Sequence, residues 1–415
     1  MQTSDPDKAP LFAFRAFRLI FWSRVSVNVA LQMQAVAVGW QIYDLTGSPL
    51  ALGLIGLVQF LPPLGLTLPA GQIADRYDRR FILRICYCIE LTAMVGLVLL
   101  TLFVAEPVTG IYGVLLLSGV ARAFESPAVQ AILPTMVPRE IFGRAVAATS
   151  SASKFATILG PALGGFIYAL GPEWVYGVGC LLLCSTVVSF LLLERLPMPE
   201  RRAALGWHSM MEGLGFIRRR QPVLGAISLD LAAVLFGGAT ALLPIFARDI
   251  LDLGPTGLGI LRASPAAGAL LVAIYLSRRP IARAGGRLMF ISVAVFGFAT
   301  ILFGLSHDFL LSVLALMLIG VSDQVSVVIR MTLVQSQTPE ELRGRVAAVN
   351  SLFIGTSNQL GAFESGVTAD WFGAVGSVLL GGGVTLLSTV LWAWWFPSLR
   401  RVGRPDEAAP AEAEA

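Results

Sequence analysis

The feature that most constrains this chain is a series of apolar segments, each about as long as a bilayer is thick, joined by short charged connectors. Twelve can be marked, at roughly 20–43, 49–70, 81–104, 111–132, 145–169, 174–194, 223–247, 256–277, 288–306, 309–333, 346–369 and 374–396. A hydrocarbon layer of about 30 Å needs roughly 20 helical residues to cross it. Runs such as Leu97 to Leu100 and Leu181 to Leu183 are unbroken, whereas a membrane barrel alternates apolar and polar residues. In lipid, the remaining way to pair every backbone group is the helix. Of the 415 residues, 56% are hydrophobic and 13% charged, against roughly a quarter charged in soluble domains. Disorder is excluded, and a soluble enzyme is nearly so.

The connectors alternate in charge. One set carries Arg15 and Arg18, then Arg76 to Arg84, Arg139 and Arg144, Arg195 to Arg220, Arg278 to Arg287, Arg343 and Arg345, and the tail. The other set carries Asp44, Glu106, Glu173, Asp249, Asp252, Asp308 and Asp370, with Arg248 its one base. Basic connectors stay on the cytoplasmic side, so both termini are expected there, in a multi-pass membrane protein. The net charge of +4 is spread over these connectors, which is a topology signal and not a nucleic-acid surface. The start, MQTSDPDKAP, does not read as a cleavable leader. Cys86, Cys88, Cys180 and Cys184 lie in apolar runs and are expected to be buried and reduced. With His208 and His307 the only histidines, no metal site is expected.

An internal repeat organises the spans. Residues 119–166 align without gaps onto 320–367, pairing Gly119 with Gly320, Pro138 with Pro339, Glu140 with Glu341, Arg144 with Arg345, and Gly165 with Gly366. This predicts an all-α membrane protein of twelve helices in two six-helix halves, 1–194 and 223–398. Between them, 195–222 reads as a cytoplasmic linker with a short amphipathic helix on the inner membrane surface. Its apolar face would carry Met210, Met211, Leu214 and Ile217. Residues 399–415 are expected to be a disordered tail, and the protein a monomer.

Between the second and third spans stands Gly71, Gln72, Ile73, Ala74, Asp75, Arg76, Tyr77, Asp78, Arg79, Arg80. Gly71 would let two helices approach. Asp75 could accept N–H groups at a facing helix N-terminus. Arg79 and Arg80, with Arg76 beside them, could bind lipid phosphates or carboxylates. Together they would latch an inner gate. The segment resembles the inner-loop signature of the major facilitator superfamily, departing from it at Asp78, where that family usually has glycine. The second half has a basic counterpart, 276–287, without an aspartate. Span five carries Gly160, Pro161, Gly164 and Gly165, similar to the glycine-proline motif of the superfamily's exporters, with Ala156 in place of its first glycine. Small residues here would let spans five and eight pack closely. The stretches 74–80, 126–140 and 335–346 narrow the resemblance to the branch that includes the enterobactin exporter and related drug-efflux proteins. The resemblance implies a transporter fold and an export class, with membrane lipids around it.

Ionisable residues at membrane depth are functional candidates by default. Arg122 and Glu125 lie three apart on span four; Asp323 and Arg330 lie seven apart on span ten. Lys154, Asp230, Arg262 and Glu364 lie in other spans, and Arg24, Asn28, Gln32 and Gln34 make a polar stripe on span one. On one reading, Arg122–Glu125 and Asp323–Arg330 are structural pairs. On the other, Glu125, Asp323, Glu364 or Asp230 exchanges a proton as its partner leaves and returns. Trp40, Tyr43, Phe60 and Phe236 either line an apolar pocket or face lipid, and Trp392, Trp394 and Trp395 suit the interfacial belt. No GxxxxGK[ST] run is present, so an ATP-driven pump in one chain is excluded. The expectation is a non-enzymatic exporter of a small amphipathic compound, drug-like or siderophore-like, driven by the proton gradient with no cofactor. An uptake symporter and a lipid flippase are the alternatives on the same fold.

Overall fold

The apolar segments form helices throughout the computed structural model, which describes residues 11–194, 207–279 and 285–403. In chain order these are α1 (Arg15–Thr46), α2 (Pro49–Arg76), α3 (Arg79–Phe103), α4 (Val108–Ile132), α5 (Phe142–Tyr168), α6 (Pro172–Leu191), α7 (Trp207–Arg219), α8 (Gln221–Phe236), α9 (Pro255–Arg278), α10 (Gly285–Leu305), α11 (Phe309–Gln337) and α12 (Arg343–Trp395). There is no strand among the described residues. Among the described residues, nine segments are long and apolar enough to cross a membrane on length and composition alone. Helices α1 and α5, 32 and 27 residues long, add two more crossings. Their polar side chains, Arg24 and Lys154 among them, dilute the apolar signal. The twelfth comes from α12, whose 53 residues are interrupted at Gly373 (φ 77°, ψ 163°). Only glycine adopts that conformation readily, so one continuous helix becomes the two expected spans.

The seventh crossing differs from the continuous helix expected over 223–247. Helix α8 stops at Phe236, and the chain continues as a 3-10 turn (Ala239–Leu242), one α turn (Leu243–Ile245) and a π turn (Phe246–Ile250). Gly237 and Gly238 are adjacent at the break, and Pro244 follows. Two glycines weaken a helix by roughly 1 kcal/mol each, and a proline removes a further donor.

The chain groups into two compact units. The first comprises Met1–Gly47, Val58–Ala204 and Leu253–Ala263; the second comprises Ser48–Leu57, Leu205–Asp252 and Ser264–Ala415. The start of α2 thus groups with the second unit and the start of α9 with the first, a finer division than the cut at 195–222. In the first unit, α1 packs on α5 and α6, and α3 on α4 and α6, around Phe17, Met33, Leu83, Met94, Leu97 and Phe190. In the second, α10 packs on α11 and α12, and α8 on α12, around Leu229, Met289, Val293, Ile329 and Leu333.

Three expectations about individual residues are corrected here. Cys86 is buried, but Cys88 and Cys184 are exposed and Cys180 intermediate. Residues two apart on a helix turn to different faces, so an apolar run does not bury every thiol. Helix α7 seats its apolar face on protein: Ile217 is buried among Val223, Ile227, Val334, Val346 and Val349, with Leu214 against the same cluster. Glu212 pairs with Arg345, while Met211, on another face, is exposed. Trp392 donates its indole N–H to Ser228 Oγ at 2.8 Å, so it is a packing residue, whereas Trp394 and Trp395 are exposed.

Candidate functional site

The gate segment is built on helix ends. Asp78 is the N-cap of α3, and its carboxylate accepts the backbone N–H of Arg80 at 3.0 Å. The same carboxylate holds the Arg80 guanidinium, with Nη2 to Oδ2 at 2.6 Å. The hydrogen bond from the Arg80 side chain pushes the Asp78 carboxyl below the usual aspartate range. Arg80 is buried and also donates Nη1 to the carbonyl of Leu193 at 2.9 Å. Arg84 donates Nε to the carbonyl of Phe190 at 2.8 Å. Two guanidiniums therefore satisfy the carbonyls at the C-terminal end of α6, where orphan acceptors and the helix dipole favour cations. Of the two partners expected for Arg80, lipid phosphate or carboxylate, the structure shows the carboxylate, that of Asp78. Arg79 reaches back to the Ala74 carbonyl at 3.4 Å, and Arg76 is exposed. No atom lies within 4 Å of where a Cβ on Gly71 would sit, so this glycine is not a point of close approach here. The side chain of Asp75 lies outside the described residues.

The membrane charges pair between helices, which corrects the same-helix pairing. Arg24 of α1 donates Nη1 to Glu125 Oε1 of α4 at 3.3 Å, and Tyr87 of α3 donates its hydroxyl to the same oxygen at 3.1 Å. Arg122 turns to Glu90 of α3, Nε to Oε1 at 3.6 Å, and Ser118 donates to Glu90 Oε2 at 2.7 Å. Glu90 is 1% exposed. It is an acid at membrane depth that sequence reading passed over, although its place inside the run 81–104 was the signal. In the second unit, Arg330 of α11 pairs with Asp230 of α8 at 3.2 Å and donates to Asn350 Oδ1 at 3.2 Å. Asp323 is not its ion-pair partner, since seven residues along a helix are about 10.5 Å of rise.

The two units therefore share a device with inverted polarity. Each ties its first crossing helix to its fourth by an ion pair, partly buried in the first unit and fully buried in the second. The base is on the first helix in one unit (Arg24) and on the fourth in the other (Arg330). Glu364 and Arg262 have no ion pair among the described residues. Asn28 donates Nδ2 to the Arg24 carbonyl at 2.7 Å. Gln34 is buried, with neither amide atom hydrogen-bonded among the described residues. On α5, a Cβ added to Gly160 would meet Gln32, one on Gly164 would meet Met33, and one on Gly165 would meet Pro255 and Gly259 of α9. The carbonyl of Pro161 faces Gly259.

Inside the first unit lies a cavity of about 390 Å³. One wall is polar, formed by Thr149, Ser150, Ser153, Lys154 and Thr157 of α5 with Arg24 of α1. The other is apolar, with Leu83, Val129, Ile132 and Phe190 among its residues. Trp40, Tyr43, Phe60 and Phe236 are not in its lining. The arrangement can hold a small molecule but offers no reaction centre.

The family model for transmembrane secretion effectors matches residues 7–411. The chain belongs to that family, within the major facilitator superfamily. It is 29% identical over 369 residues, 88% of this chain and 85% of the relative, to the enterobactin exporter EntS of Escherichia coli O81 (strain ED1a). Among solved structures, a bacterial homologue of the human lysosomal transporter Spinster matches with TM-score 0.71 at 16% identity, covering 96% of this chain and 99% of that one. A POT family transporter matches with TM-score 0.74 at 12% identity, covering 94% and 98%. At these identities the likenesses bear on the fold alone. This transporter is a secondary, non-enzymatic membrane carrier of a small molecule.

Proposed function

We propose that this transporter is a proton-coupled exporter of a small amphipathic compound, working by alternating access in the bacterial inner membrane with both termini in the cytoplasm. The observation that carries the export direction is the likeness, over 88% of the chain, to a protein named as an exporter. The buried cross-helix pairs supply the coupling. A carboxylate whose cation sits on another helix gains and loses that cation when the helices shift, and with it its proton affinity. A pair within one rigid helix cannot do this. Glu125, held by Arg24, and Asp230, held by Arg330, are the carboxylates placed to couple in this way. The gate segment 71–80, fixed by Asp78 and Arg80, stiffens the inner end of α2 and α3 during the exchange.

Purified protein in proteoliposomes with an imposed pH gradient tests this reading, with enterobactin, the compound in the relative's name, as the first substrate. Export driven by inward proton flow is expected, and Glu125→Gln or Asp230→Asn abolishes gradient-driven export while exchange at equal pH survives. Proton-driven accumulation in the opposite direction identifies an uptake symporter. Movement of labelled phospholipid between leaflets identifies a flippase.

A further inference from the structure

The cavity in the first unit has a composition that selects a ligand. Its polar wall runs along α5 from Thr149 to Thr157, and Lys154 stands about 18 Å from the helix start. Polar side chains at that depth are costly against lipid and face water or a ligand instead. Thr149 and Thr157 already use their hydroxyl protons on carbonyls of the preceding turn. Ser153 Oγ accepts from Asn28 at 3.4 Å, which leaves its own O–H to donate. Among the described residues the lining holds two bases, Arg24 and Lys154, and no carboxylate, and Arg24 also pairs through one nitrogen with Glu125 behind the wall. Opposite them, Leu83, Ile132 and Phe190 present an apolar surface. A volume of about 390 Å³ falls at the small end of small-molecule sites, enough for one or two rings with a charged head.

We propose that this cavity is a binding site for a small amphipathic anion, a carboxylate or sulfonate on an apolar ring body. Its head lies against Lys154 and Arg24, and its body against Leu83, Ile132 and Phe190. Charge-assisted hydrogen bonds orient the head, and the apolar wall takes the ring out of water. The site rests on the export reading only for the statement that the bound anion is cargo; binding stands or falls separately.

The test uses the full chain in neutral detergent and three isosteric probes, 1-naphthoate, 1-naphthamide and 1-naphthylmethylammonium. Binding is read by calorimetry against empty micelles. Saturable one-site binding of naphthoate is expected, about tenfold or more tighter than the amide, with no binding of the ammonium. Lys154→Gln weakens naphthoate about tenfold. Ser150→Phe, at an exposed lining position, fills the cavity and abolishes binding while the apparent Tm is kept. Equal binding of the three probes, no naphthoate binding, or an unchanged affinity in Ser150→Phe overturns the site. Naphthoate that binds in this pattern but is not moved across proteoliposomes leaves the site standing and counts against its ligand being cargo. Gradient-driven export of enterobactin without naphthoate binding supports export and removes the site.

Discussion

At the scale of the residue, the deciding fact is which partner each charge meets. Glu90 is 1% exposed while the Arg122 side chain is 33% exposed. Removing the base strands a buried carboxylate, whereas removing the acid frees a cation that can turn toward water. Arg122→Gln is therefore expected to cost more than Glu90→Gln, toward the ~3–5 kcal/mol typical of breaking a buried pair, and the double variant less than the sum. Apparent Tm in detergent for the four proteins checks the order, and a larger loss in Glu90→Gln would refute it. Asp78 supports a second expectation. Its carboxyl is held below the ordinary value of 3.8 by Arg80. A lowered folded-state pKa adds stability that is present above the ordinary value and is lost as the pH falls through the folded one. The wild type should lose this increment below about pH 4, and Asp78→Asn should lack it at every pH. Asp78→Ala also removes the cap of α3, worth about 0.5–2 kcal/mol, so its apparent Tm should fall below that of Asp78→Asn.

At the scale of the element, helix interruptions are set by glycine. Gly373 at φ 77° and ψ 163° lies in a region that side-chain-bearing residues avoid, yet a Cβ there would meet nothing within 4 Å. The cost of Gly373→Ala is thus purely backbone, about 1–3 kcal/mol. Asparagine, which tolerates the left-handed helical region with ψ near 47°, should bring no relief at ψ 163°. Apparent Tm and yield of both variants test this, and a wild-type Tm in Gly373→Asn would show that the break is not held by conformation. Gly165 is the opposite case. Its helical backbone suits alanine, but the added Cβ would strike the Pro255 carbonyl and Gly259. Gly165→Ala should force α5 and α9 apart and lower stability, while the same change at Gly71, with open space around it, should be tolerated.

At the scale of the whole molecule, the proposed orientation makes a prediction that needs no substrate. Cys88 and Cys184 are exposed on the helical surface, so the four native cysteines must first be replaced. In that background, Asp308→Cys, at the N-cap of α11, should react with a membrane-impermeant maleimide in intact cells. Arg400→Cys should react only after the membrane is opened. Labelling of Asp308→Cys only after opening would invert the topology and remove the basis for cytoplasmic termini.

The positions of the apolar segments, the twelve crossings and the membership of the superfamily follow from the sequence alone. Bilayer thickness fixes segment length residue by residue, and motifs such as 71–80 are contiguous. The tertiary structure alone decided that Glu125 meets Arg24, that Arg122 meets Glu90 and that Arg330 meets Asp230. Helical periodicity names the face on which a charge lies, but a neighbour about 8–10 Å away across a helix contact comes from a distant part of the chain. The cavity belongs to the same class. Its polar wall is legible as a run of Ser, Thr and Lys on α5, yet its apolar wall comes from α3, α4 and α6, and only packing brings the two together.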